Sequence, residues 1–227
     1  MAAPIIVFDL DGTLVDTAPD LLDSLNHSLG WAGMEPAAST DLRRFVGMGA
    51  KVMIERAFAA KQRPLDNARL AELFNVFVEH YSDNMPGKSR PYPGVGAALE
   101  RFSAAGYQFA VCTNKYEGMS QRLLSELGLK SWFGAICGQD SFPYRKPDPR
   151  HLTSTIEAAG GEPANAIMVG DSETDIKTAK AAGIPVVAVD FGYTDRHVRE
   201  FDPSRIISHF DELTLELAEG LLKAAAR

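Results

Sequence analysis

The chain has 227 residues, 45% apolar and 23% charged, a balance that excludes disorder, collagen and coiled coil and suits one large or two unequal folded units. Lys and Arg number 23 against 30 Asp and Glu, a net charge of -7 with no basic run, which argues against nucleic acid and anionic membrane as partners. Cys112 and Cys137 stand in apolar contexts and cannot build a secreted disulfide framework, so a reducing compartment is expected.

The first expected element is the continuous apolar run Ile5-Ile6-Val7-Phe8, a buried parallel strand that ends in the polar loop Asp9-Leu10-Asp11-Gly12-Thr13. Because that run stops at Asp9, neither a signal peptide nor a membrane span is expected, and a cytoplasmic location follows. Residues 17 to about 85 carry only helical periodicity, through Leu21, Leu22, Leu25 and Leu29, then 52–60, then Leu70, Leu73, Phe74, Phe77 and Val78. From about 91 to 190 the pattern alternates. Apolar runs at 109–112, 135–137, 167–169 and 185–189 predict strands. Helices are expected between them, over 95–105, 117–127, from Asp148-Pro149 to Gly160, and over 173–182. Ile206-Ile207 adds a short strand, and 211–222 a last helix. The alternation predicts an α/β fold, a doubly wound (Rossmann-like) parallel sheet. The expected domains are a catalytic core of 1–16 and 86–227 and an inserted all-helical cap of 17–85.

Four polar sites follow apolar runs: Asp9 to Thr13, Thr113-Asn114, Lys146 before Pro147, and Gly170-Asp171-Ser172-Glu173-Thr174-Asp175. In open α/β sheets ligands bind beyond the carboxyl ends of the strands, so the four should converge on one crevice. The five histidines show no zinc-ligand spacing. Four carboxylates and one lysine instead leave an excess of negative charge, which a hard divalent cation such as Mg²⁺ would offset. A carboxylate there can attack phosphorus, and a second one two residues on can move the proton.

These motifs, in this order and with a helical insertion after the first, resemble the haloacid-dehalogenase superfamily of phosphotransferases over the whole chain. The resemblance implies Asp9 as nucleophile and Asp11 as general acid/base. It implies that Thr113, Asn114 and Lys146 hold the phosphoryl group, and that Asp9, Asp171 and the backbone carbonyl of Asp11 hold magnesium, with Asp175 behind the metal. Asp11 points to phosphate esters, since the dehalogenase branches resembling this chain lack an acid there.

The cap segment Phe45-Val46-Gly47-Met48-Gly49-Ala50 looks like that of the phosphoglycolate phosphatases within that family. Gly47, Met48 and Gly49 would let backbone approach a small substrate, and one of Arg43, Arg44 and Lys51 is expected to meet its carboxylate. The expected partner is therefore a small phosphorylated metabolite, acted on by a monomer or homodimer. The alternatives are a β-phosphoglucomutase or pyrophosphatase of the same family, and a receiver-type signalling domain. The last would be shorter and would lack the 17–85 insertion.

Overall fold

The computed structural model describes residues 3–37, 46–47 and 49–225. Six strands form one parallel sheet: β1 (Ile5–Phe8), β4 (Gln108–Cys112), β5 (Ala135–Cys137), β6 (Ala166–Gly170), β7 (Val186–Val189) and β8 (Arg205–Ile207). Their order across the sheet is β5-β4-β1-β6-β7-β8. The chain thus starts in the middle, builds one side, and returns to build the other. The two directions part at β1, the place beyond whose carboxyl end open α/β sheets bind their ligands.

Both faces of this sheet are buried, which is why its strands read as unbroken apolar runs. The two-residue alternation still sorts the side chains by face. Ile6 and Phe8 join Phe109, Val111, Ile167 and Val169 in one cluster, covered by Leu99, Phe102, Leu123 and Leu124. These come from α4 (Val95–Ala104) and α5 (Glu117–Glu126). Ile5 and Val7 join Ala110, Cys112, Ala166 and Met168 on the other face, covered by Leu152, Ile156, Ile176 and Ala179. Those lie on α6 (Pro149–Ala158) and α7 (Glu173–Ala181). The last helix, α8 (Leu215–Ala225), starts later than its sequence pattern suggests because a 3₁₀ turn at Phe210–Glu212 precedes it.

Between β1 and α4 lie α1 (Ala18–Trp31), α2 (Ala50–Ala60) and α3 (Asn67–Asn84). They bury Leu25, Leu29, Met53, Ile54, Leu73 and Phe77. The chain leaves and re-enters the sheet region through a two-strand crossing the sequence pattern does not announce, in which β2 (Val15–Asp16) pairs antiparallel with β3 (Arg90–Pro91). Asp20, in the first turn of α1, accepts the backbone N–H of Lys88 at 2.7 Å and of Ser89 at 2.8 Å. The outgoing and returning crossings are therefore lashed together. Among the described residues no helix is long and apolar enough to cross a membrane.

Candidate active site

Asp9 continues the β1 ladder by one residue: its N–H donates to the carbonyl of Val169 at 2.9 Å, so the sheet itself aims the carboxylate. Asp171, one residue past β6, lies beside it. One oxygen from each of Asp9, Asp171 and Asp175 falls within 4.8 Å of the others. Asp171 is held on both oxygens, by the Thr13 hydroxyl at 3.0 Å and the Tyr193 N–H at 2.6 Å. Two glycines make room for it. A Cβ on Gly12, whose φ is +85°, would sit 2.4 Å from Asp171 Oδ2, and one on Gly192 would sit 2.3 Å from Asp171 Cβ.

Asp175 is the third residue of α7 and closes a capping box with Ser172. Its Oδ2 accepts the Ser172 N–H at 3.1 Å and hydroxyl at 2.6 Å, and its Oδ1 accepts Lys146 Nζ at 2.6 Å. Lys146 Nζ also lies 2.9 Å from Asp9 Oδ1, yet that buried oxygen makes no well-directed hydrogen bond among the described residues. The Lys146 backbone is fixed as well. Its N–H donates to His151 Nδ1 at 3.2 Å, and its carbonyl accepts Asn114 Nδ2 at 3.0 Å. Thr113 Oγ1 accepts the Lys115 N–H at 3.2 Å.

The electrostatics follow from burial. Desolvation, reinforced by Asp175 and Asp11 and opposed by Lys146, pushes Asp9 up to about 6. Desolvation together with Asp175 and Asp9 holds Asp171 well above the usual carboxylate range. Burial alone would lower Lys146, but Asp175 and Asp9 overrule it and keep the ammonium charged. One lysine cannot neutralise three clustered carboxylates. Buried like charges are costly unless a counter-ion joins them, and this all-oxygen donor set fits a hard divalent cation.

Asp11, two residues beyond Asp9, points elsewhere: both its oxygens accept from Lys115 Nζ, at 3.1 and 3.2 Å. Lys115 carries no spacing signal of its own, although it directly follows Thr113-Asn114. Tyr193, also without a sequence signal, joins three regions. Its N–H holds Asp171, its hydroxyl donates to Asp16 and accepts the Ala18 N–H, and its carbonyl is so close to Gly47 that a Cβ there would lie 2.6 Å away. Of the cap-segment candidates, Arg43, Arg44 and Met48 lie outside the described residues. Gly49, with φ +92°, is the N-cap of α2. Lys51 is exposed, its ammonium 4.9 Å over the Phe74 ring.

A parallel sheet with a lysine-pinned acidic crevice beyond its strand ends defines the class, an α/β enzyme of the doubly wound type. Within it, the chain belongs to the haloacid dehalogenase-like hydrolase family, whose model matches residues 6–189. It is similar to a phosphoglycolate phosphatase of Mesorhizobium japonicum, 66% identical over 225 residues that span 99% of both chains. A second phosphoglycolate phosphatase, from Agrobacterium fabrum, is 49% identical over 99% of this chain and 96% of its own. Among solved structures, a predicted phosphoglycolate phosphatase from Haemophilus somnus superposes with a TM-score of 0.86 at 31% identity, covering 95% of this chain and 97% of that one. The protein is a hydrolase, phosphoglycolate phosphatase-like along its whole length.

Proposed function

We propose that the protein hydrolyses 2-phosphoglycolate to glycolate and phosphate, with Mg²⁺ bound, through a phosphorylated Asp9. A carboxylate oxygen of Asp9 attacks phosphorus, and the ester P–O bond breaks as the aspartyl phosphate forms. Asp11 gives its proton to the departing alkoxide oxygen. It then takes a proton from the water that attacks the aspartyl phosphate, and the Asp9 carboxylate leaves. Thr113, Asn114 and Lys146 hold the phosphoryl oxygens. Asp9, Asp171 and the Asp11 backbone carbonyl would hold the cation, which supplies charge neutralisation at the phosphoryl group. Asp175 has both oxygens engaged, by Lys146 and by Ser172, and so acts by steadying the lysine. Residues 17–85 serve as the cap that closes over the crevice and excludes water.

The observation that carries the chemistry is the placement of Asp9 and Asp11 on one loop, with Lys146 within ion-pair reach of the first. The choice of ester rests on the relative that matches over 99% of the chain. The test is a panel of 2-phosphoglycolate, ethyl phosphate, glucose phosphates and pyrophosphate, ranked by kcat/KM with Mg²⁺ present. Phosphoglycolate should lead, chelation should abolish turnover, and Asp9→Asn should do the same with the fold intact. Turnover in ¹⁸O-water should place one label in each phosphate and none in Asp9, because water attacks phosphorus and the carboxylate leaves with its own oxygens. Failure to trap a phosphorylated Asp9 by rapid quench or borohydride reduction while turnover proceeds would remove the nucleophile assignment.

A further inference from the structure

Two buried polar groups beside the crevice have no part in that reaction. Lys115 follows the loop after β4, and its side chain is only 6% exposed. Burial should depress an ammonium, yet Asp11 and Tyr81 raise Lys115 above its usual range, so the cation is kept. It spends two contacts on the two oxygens of Asp11, and its Nζ lies 4.3 Å from the ring centroid of Tyr81. Tyr81 sits in α3 and is 2% exposed. Its hydroxyl makes no well-directed hydrogen bond among the described residues, and its polar neighbour is the Lys115 ammonium. A buried phenol without an acceptor is costly, and native structures rarely leave one so without a reason.

We infer that Lys115 and Tyr81 together form the subsite that reads the carboxylate of a small phosphorylated acid. The inference rests on the reading of Asp11 as the group that protonates the leaving oxygen. A cation bonded to Asp11 is then within reach of the atoms that immediately follow that oxygen. In 2-phosphoglycolate the carboxyl carbon is two covalent bonds from it. Beyond its two contacts to Asp11, Lys115 has a third N–H, close to the Tyr81 side chain, and the Tyr81 O–H has no acceptor among the described residues. A carboxylate can accept both, in charge-assisted bonds at the top of the hydrogen-bond scale. A neutral alkyl group in the same place would leave both donors unsatisfied, which is how a polar pocket rejects an analogue. The two donors come from different elements, one from the sheet loops and one from α3, so the subsite exists only while α3 lies against the sheet.

The experiment compares wild type, Tyr81→Phe and Lys115→Met with two esters and one product. The wild-type ratio of kcat/KM for 2-phosphoglycolate over ethyl phosphate should fall by about 10- to 150-fold in Lys115→Met and by roughly 5- to 10-fold in the milder Tyr81→Phe, the span expected for one lost bond to a charged group or a neutral one. Glycolate, tested as an inhibitor of ethyl phosphate hydrolysis, should bind the wild type and lose affinity in both variants. If ethyl phosphate and phosphoglycolate lose activity equally, and glycolate inhibits all three proteins alike, the subsite is overturned. If the wild type does not prefer phosphoglycolate, the substrate reading falls; the glycolate series then decides the carboxylate subsite by itself. Should Lys115→Met fail to fold, Tyr81→Phe keeps both comparisons open, because it removes one oxygen and no volume that the core depends on.

Discussion

His151 touches no reacting atom, yet it shows how one buried ring fixes another residue's geometry. It is fully buried, with Nδ1 accepting the Lys146 N–H and Nε2 facing the Gly138 carbonyl at 3.0 Å. Only the neutral ring protonated at Nε2 satisfies both contacts, and desolvation together with the Lys146 charge lowers its pKa to about 4 from 6.5. In the unfolded chain the ring takes up a proton near pH 6.5, so its contribution to stability is whole above that pH and is lost as the pH falls toward 4. The unfolding free-energy difference between wild type and His151→Asn, from urea titrations, should therefore shrink steadily between pH 7 and 4.5. A difference that does not change with pH would mean the ring titrates alike in both states. At this scale the sequence speaks unevenly. Asp9, Thr113 and Asp171 each come directly after an apolar run, so chain position alone marks them. Tyr81 continues the apolar face begun by Leu73 and Phe77 and reads as core. Tyr193 is 22 residues from the Asp171 it binds, and nothing local betrays the contact.

Among elements, the strands of the sheet are legible because burial on both faces forbids polar interruptions. The β2–β3 crossing is illegible for the opposite reason: two residues per strand are too few for any period. What stabilises it comes from α1. Asp20 there accepts the N–H groups of Lys88 and Ser89 and the Ser89 hydroxyl, while 7% exposed. Asp20→Ala would strand buried donors, at about 1–3 kcal/mol. Urea unfolding should show that loss, Asp20→Asn should recover part of it, and proteolysis near residues 86–90 should quicken in the alanine variant. An unchanged urea midpoint would show that water replaces the carboxylate without cost.

For the molecule as a whole, the crowded carboxylates make the proposed cation a matter of stability as well as chemistry. Asp9 and Asp171 are both raised by burial, so each is a group whose folded state favours the proton. Without a cation, their contribution is present at low pH and is lost as the pH rises through about 6, where Asp9 ionises. A cation binds the ionised forms and reverses that loss. Mg²⁺ at a hundred times its dissociation constant should add about 2.7 kcal/mol, or about 5–10 °C in Tm for a chain of this size. The shift should be largest near pH 7.5 and small near pH 5, and Asp171→Asn should abolish it. Equal shifts at both pH values, by calorimetry, would mean that the ion binds elsewhere.

The central place of β1 in the sheet also bears on how the chain is made. Ile5 is translated well before its two neighbours in the sheet, Gln108 and Ala166. β1 must therefore wait, an apolar strand with two open edges, until residues near 170 have left the exit tunnel. The helices between β1 and β4 are built from local contacts and can form during that interval, standing next to the unpaired strand. In this arrangement Asp9 and Asp171 come together only once β6 has paired with β1. A chain that stalls before residue 171 lacks Asp171 altogether and leaves β1 with an unpaired edge, open to chaperones and proteases that act on exposed strands.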